Sequence, residues 1–212
     1  MRVGLFGGTF NPVHIAHLRC AEEAREALGL DRVLFIPSAT PPHKRSGVAA
    51  APHRLAMVRL ALRGNPAFRV SKVEIERDGP SFLVDTLRIL RRRAPADHLV
   101  FLLGVDAMRE IDTWREWRSI FSLADLAVFT RPPHAVSHLR AILPVAARGE
   151  FCYQKDQANA VHSSGNRITL LKQTALDISS SDIRQRLSRG QSIRYLVPAP
   201  VERYVREHRL YL

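Results

Sequence analysis

The chain has 212 residues, 46% of them hydrophobic and 25% charged, which suits one globular domain able to cover both faces of a sheet. It shows no run of about eighteen apolar residues and no charged-then-apolar leader, so a membrane span or secretory signal is not expected and the protein is read as cytoplasmic. A formal net charge of +12 admits nucleic acid, an anionic membrane surface or small polyanionic substrates. Most of that charge is Arg spread along the chain, and its one tight run, Arg91-Arg92-Arg93, falls at a predicted helix end where cations complement the dipole.

The first seventeen residues, MRVGLFGGTFNPVHIAH, place a strand end, a flexible turn and a helix start together. The apolar run Val3 to Phe6 meets Gly7-Gly8-Thr9, and after Phe10-Asn11-Pro12 two histidines, His14 and His17, lie at i and i+3 on one face of a first helical turn. Glycines without Cβ let a turn approach a bulky phosphate, and the unpaired N–H groups and dipole of a helix start favour an anion. A Gly-Gly pair alone also serves as an ordinary strand-to-helix turn. Metal ligation by the histidines fits less well, because the zinc-protease pattern wants i, i+4 with an intervening Glu, and Ile15 and Ala16 stand here. Neither the dinucleotide fingerprint nor a Walker lysine is present. Asn11 can organise the turn through its side-chain amide.

Further along, a helix is predicted from His14 to Leu28 with Gly29 as its C-cap, and Cys20, in its apolar stripe, reads as a small buried hydrophobe. Cys152 is far away, so neither a disulfide framework nor a zinc site is expected. Val33 to Ile36 reads as a buried strand, which completes a right-handed βαβ unit. Pro37 to Pro52 is a Pro-rich loop at that strand's carboxyl end, where open parallel sheets hold ligands. Taken alone, its Lys44 reads as a solvated loop lysine. A helix follows from Pro52 to Leu62, then an imperfect strand from Phe68 to Ile75 nearer the sheet edge. Ser81 is a candidate N-cap for a helix through Arg92.

Leu99 to Leu103 reads as a strand ending in Gly104-Val105-Asp106. Asp106 is placed either to accept hydrogen bonds from ribose hydroxyls or to cap the next short helix. Trp117 with Ile120 and Phe121 is expected in the core, whereas Trp114 follows a turn and precedes Arg115. A fifth strand, Leu126 to Phe129, leads to Arg131, whose fork suits phosphate. A helix from His138 to Ala147 is expected within a less periodic stretch that ends at the Ser163-Ser164-Gly165-Asn166 turn, with His134, His138 and His162 as surface residues. Arg167 to Leu171 resumes as a sixth strand. After it, Ile178-Ser179-Ser180-Ser181 begins a second helix with Arg184 one turn in, a set that caps the helix or makes a second anion site. The tail is expected to close as a helix packed on the sheet.

GGTFNPVHIAH and the ISSSDIR element resemble the two signatures of the nucleotidyltransferase superfamily, and PPHK, GVD and TW resemble its nicotinate-nucleotide adenylyltransferase branch. The likeness covers nearly the whole chain apart from a variable excursion around 134–166. It implies a single domain over 1–212, a Rossmann-like three-layer α/β sandwich with a mainly parallel sheet of about six strands. It implies adenylyl transfer from ATP to nicotinate mononucleotide by in-line attack, with Mg²⁺ carried by ATP and no protein-only metal site. Catalytic roles then fall on His14, His17 and Arg184, and ATP contacts on Gly7, Gly8, Thr9, Phe10, His14, His17, Gly104, Asp106, Ile178, Ser179, Ser180, Ser181 and Arg184. Lys44, Leu83, Trp114, Arg115 and Arg131 are assigned to the mononucleotide. The branch usually has Thr where Leu83 stands, so a hydroxyl expected at the nicotinate carboxylate is missing, and acid-versus-amide preference is left open. The rival acceptors are nicotinamide mononucleotide and phosphopantetheine, and a basic nucleic-acid-binding protein is the reading from another class. Neither nucleic acid nor membrane is expected as a partner, and a homo-oligomer remains possible.

Overall fold

Alternation along the central strands builds the molecule. In a computed structural model that describes residues 1–40, 47–130 and 136–212, eight strands and seven helices occur among the described residues. The strands are β1 (Arg2–Gly8), β2 (Arg32–Pro37), β3 (Phe68–Val70), β4 (His98–Gly104), β5 (Asp125–Thr130), β6 (Phe151–Tyr153), β7 (Asn159–His162) and β8 (Arg167–Lys172). The helices are α1 (Ile15–Leu28), α2 (Ala51–Ala61), α3 (Leu83–Arg93), α4 (Val105–Arg109), α5 (Trp117–Leu123), α6 (Ser180–Ser188) and α7 (Ala199–Glu207). Side chains two apart share a sheet face, so Leu99, Phe101 and Leu103 of β4 enter one core while Val100 and Leu102 enter the other. β5 divides likewise, Leu126 and Val128 against Ala127 and Phe129. A strand buried on both faces needs helices on both, which explains the three layers.

The strand order is β3-β2-β1-β4-β5-β8-β7-β6, parallel from β3 through β8 and antiparallel at β7 and β6. The chain runs outward from β1 to β2 and β3, then returns to lay β4 on the other side of β1. The direction of winding reverses between β1 and β4, and in such sheets the crevice beyond those strand ends receives ligands. Gly7-Gly8 and Gly104 occupy those two ends.

The parallel α/β architecture agrees with expectation, but the sheet has eight strands rather than about six. The two additional ones, β6 and β7, are short antiparallel strands inside the stretch that lacked clear periodicity, where a ladder of three residues is too short to leave an alternating pattern. The helix expected from His138 to Ala147 is instead two 3₁₀ segments, Leu139–Ala141 and Val145–Glu150, with Pro144 interrupting between them. The strand expected from Phe68 to Ile75 stops at Val70, although it does form the sheet edge. Ser81 does not cap α3: Phe82 holds that position, and the Ser81 hydroxyl accepts the Ala39 N–H at 3.0 Å. His162 is buried between Glu150 and Ser164 rather than exposed, while His138 is exposed and His134 lies outside the described residues. Trp117 is half-buried against the core, and Arg91–Arg93 do end α3, Arg91 donating to the Leu123 carbonyl at 2.9 Å. Gly29 terminates α1 in the left-handed conformation, and α7 closes the second core with Val201 and Val205. No helix among the described residues is long and apolar enough to cross a membrane.

Candidate active site

The turn after β1 is held by side chains remote in sequence. Asn11 donates from Nδ2 to the Gly47 carbonyl at 2.8 Å, while its Oδ1 accepts from the Ala49 N–H at 3.0 Å and the Tyr211 hydroxyl at 2.7 Å. An amide makes both kinds of bond, whereas a carboxylate at this position could only accept. Burial pushes the Tyr211 phenol above its ordinary range, which keeps its proton available to donate to Asn11. Beneath the turn lies Arg54, 1% exposed, which donates at 2.9 Å each to the carbonyls of Thr9, Ala39 and Ala49. One guanidinium therefore joins the exits of β1 and β2 to the entry of α2.

His14 is the N-cap residue of α1 in extended conformation, with φ of −142°. Its N–H donates to Nδ1 of His17 at 3.2 Å, and the two imidazoles stack with centroids 3.6 Å apart. Since Nδ1 of His17 accepts, its proton resides on Nε2. Phe10, 2% exposed and held at a φ of +48°, packs its ring 5.2 Å from that of His17. Across the turn, Ser179 caps α6 by accepting the Asp182 N–H at 3.0 Å. Ser180 donates to the Pro12 carbonyl and Arg184 Nη1 to the Asn11 carbonyl, both at 2.9 Å. The two motifs recognised in sequence are thus hydrogen-bonded across some 170 residues of chain, as the separations of 168 and 173 positions record.

A cavity of about 360 Å³ opens between them, lined by His14, His17, Gly104, Asp106, Ile178, Ser179, Ser180, Ser181 and Arg184. Its wall combines hydroxyls, a helix start, two imidazoles and a guanidinium, a donor-rich set suited to phosphate oxygens. Asp106 is exposed in the first turn of α4, whose N-cap is Gly104, so the capping alternative does not apply. Cys20, read as a buried hydrophobe, is instead half-buried on this wall, and its thiol donates to Gln173 Oε1.

On the other face of the β1 end lies a second cavity of about 340 Å³. Phe82, Leu83, Phe101 and Trp114 supply its apolar walls, and Trp114 meets Phe101 edge to face at 6.5 Å. Arg115 stands at its rim with its guanidinium 5.1 Å over the Phe82 ring and Nη1 3.6 Å from Asp85. Gly7, Gly8 and Thr9 line this cavity rather than the one bearing the histidines. The two glycines also make room for aromatic rings: a Cβ at Gly7 would meet Phe101 at 3.3 Å, and one at Gly8 would meet Phe10 at 3.1 Å. Lys44 and Arg131 lie outside the described residues.

Two groups of this region were not singled out from sequence. Glu74 is 7% exposed and lines the aromatic cavity. Burial pushes its carboxyl above the usual carboxylate range, against hydrogen bonds from Thr86 and Ser81 and the charge of Arg77, all of which favour ionisation. The run Val73-Glu74-Ile75-Glu76 gave no warning, because alternation with apolar residues reads as a strand with its acids outside. Arg54 did leave a trace, since it lies one turn before Val58 on the buried face of α2.

Residues 5–186 match the cytidylyltransferase-like family model. A protein of Citrifermentans bemidjiense named "Probable nicotinate-nucleotide adenylyltransferase" is 50% identical over 100% of this chain and 99% of its own length, and one of Geobacter sulfurreducens with the same name is 48% identical over 100% and 98%. The solved structure of Plasmodium falciparum nicotinic acid mononucleotide adenylyltransferase complexed with NaAD superposes with a TM-score of 0.77 over 99% of this chain and 97% of that one, at 16% identity, a likeness of fold. With half its residues identical along the full length of such relatives, and with both nucleotidyltransferase motifs brought to one crevice, the chain belongs to the cytidylyltransferase-like family, in its nicotinate-nucleotide adenylyltransferase branch.

Proposed function

We propose that the protein transfers the adenylyl group of ATP to nicotinate mononucleotide, giving deamido-NAD and pyrophosphate, as a cytoplasmic enzyme of NAD biosynthesis. The observation that carries this reading is the pairing of a donor-rich cavity with an aromatic one on either side of the β1 end, so that a phosphate and a flat ring can be held across one strand terminus. ATP takes the cavity of His14, His17, Ser179–Ser181 and Arg184, with its ribose toward Asp106. The pyridine ring takes the space between Trp114 and the Phe82-Leu83 wall, where an electron-poor ring on an indole face is electrostatically favourable.

A phosphate oxygen of the mononucleotide attacks the α-phosphorus of ATP in line. The new P–O bond forms as the bond from the α-phosphorus to the oxygen bridging it to the β-phosphate breaks, and that oxygen leaves with pyrophosphate. No protein nucleophile is needed, so the chain's contribution is positioning and stabilisation of charge on the transferring and leaving oxygens. His17 donates from Nε2, while the α6 start and Arg184 hold the leaving phosphates. Asp106 is the carboxylate that lines the phosphate cavity, and it would hold Mg²⁺ there together with the phosphates of the nucleotide. When bound there, Mg²⁺ neutralises developing phosphate charge.

Leu83 on the cavity wall keeps nicotinamide mononucleotide as the second reading, because it offers no hydroxyl to a carboxylate. Pyrophosphate release with ATP and a panel of acceptors tests both. Nicotinate mononucleotide is expected to give the highest kcat/KM and phosphopantetheine none, and a preference for the amide would transfer the assignment to the second reading.

A further inference from the structure

Among the polar side chains of the aromatic cavity, Ser38 stands apart. It follows the last residue of β2, its N–H donates to the Gly8 carbonyl at 3.0 Å, and it is 9% exposed. Its Oγ is buried and has no hydrogen-bond partner among the described residues. The neighbouring groups are committed to one another. Ser81 accepts from Ala39 N–H and pairs with Glu74, and Glu74 Oε1 accepts from Thr86 at 2.8 Å. Buried hydroxyls in native structures are nearly always satisfied, because leaving one unpaired forfeits its hydration without return. Ser38 lines a ligand-sized cavity, and since no partner holds its hydroxyl, rotation about the Cα–Cβ bond turns Oγ from its buried position toward a ligand there, which then supplies the partner.

We propose that Ser38 is an acceptor-binding residue, its hydroxyl making a hydrogen bond to the mononucleotide that completes the polar floor of the aromatic cavity. This rests on the reading of that cavity as the acceptor site. The hydroxyl can donate or accept, so it serves a carboxylate, an amide or a ribose hydroxyl of the acceptor. The arrangement trades stability of the empty protein for affinity. Removing the hydroxyl therefore has opposite effects on the two.

The test measures wild type, Ser38→Ala and Ser38→Cys with ATP and nicotinate mononucleotide, together with thermal melts with and without the mononucleotide. Ser38→Ala is expected to raise KM for the mononucleotide roughly 5- to 20-fold, with kcat and KM for ATP within about twofold. In the empty protein it is expected to raise Tm by about 2–4 °C, and to diminish the further rise that the mononucleotide produces. Ser38→Cys, which keeps the bulk but donates weakly, is expected to follow Ala in KM. Unchanged mononucleotide KM in both variants, or a fall in Tm with equal damage to both substrates, overturns the proposal while an active wild type leaves the functional reading standing. A wild type that does not turn over nicotinate mononucleotide overturns both.

Discussion

Replacing Arg54 by Met tests how the site is assembled. The guanidinium makes three bonds at 2.9 Å, to the carbonyls of Thr9, Ala39 and Ala49, from a side chain 1% exposed. At about 1.5–3 kcal/mol net for a hydrogen bond to a charged group, three bonds sum to roughly 4.5–9 kcal/mol. Part of that is offset, because Met no longer carries a charge that costs several kcal/mol to desolvate, yet it leaves three carbonyls unpaired. The balance expected is a loss of about 3–5 kcal/mol. Set against a total stability of about 5–15 kcal/mol, the variant should still fold at low temperature, with a clearly reduced urea midpoint and unchanged m. Lys does not rescue, since one ammonium cannot reach three separate carbonyls in the directions a planar fork does. Because Thr9 lines the aromatic cavity and Ala39 adjoins Ser38, the mononucleotide KM should rise more than the ATP KM. Stability of either variant within about 1 kcal/mol of wild type would refute the view that Arg54 holds the strand exits together.

Other outcomes follow from the same geometry. His17→Ala removes the proposed Nε2 donor and is expected to lower kcat about 10²- to 10³-fold with little change in ATP KM; an undiminished kcat would remove that role. Leu83→Thr restores a hydroxyl to the cavity wall, and competition between the two mononucleotides should then move toward the acid, by about tenfold if one new hydrogen bond forms. Glu74 binds its proton more tightly in the folded chain than in the unfolded one, whose value is near 4.5, so stability should decline as pH rises from there through the folded value. Glu74→Gln, which cannot titrate, should lose that slope in urea midpoints measured from pH 4 to 8, and persistence of the slope would assign it elsewhere.

How much was legible in the sequence depended on whether the signal was local. The βαβ start, the Gly29 C-cap and the Ser179 cap of α6 rest on residues within a few positions of one another, and they formed as read. The short strands β6 and β7 did not announce themselves, because three or four residues of ladder carry too little periodicity to separate strand from turn. Glu74 passed unnoticed and His162 misled for a related reason. A polar residue among apolar ones reads as outward-facing until a partner far along the chain, such as Thr86 or Glu150, makes its burial affordable.

The chain by itself determined the chemistry available: two histidines at a helix start, a serine-rich second start with its arginine, and a tryptophan after a turn. Tertiary structure alone decided where these meet. The reversal of winding between β1 and β4 opens the crevice, and bonds from Ser180 and Arg184 to the Pro12 and Asn11 carbonyls bring the two motifs to it. It also separated Gly7-Gly8 from the histidines, because α1, which carries the histidines, packs on the opposite face of the sheet from Phe101, which walls the cavity that the glycines line. Spacing in sequence fixes which groups share a helical turn, but only the crossing of the sheet fixes which cavity each one lines.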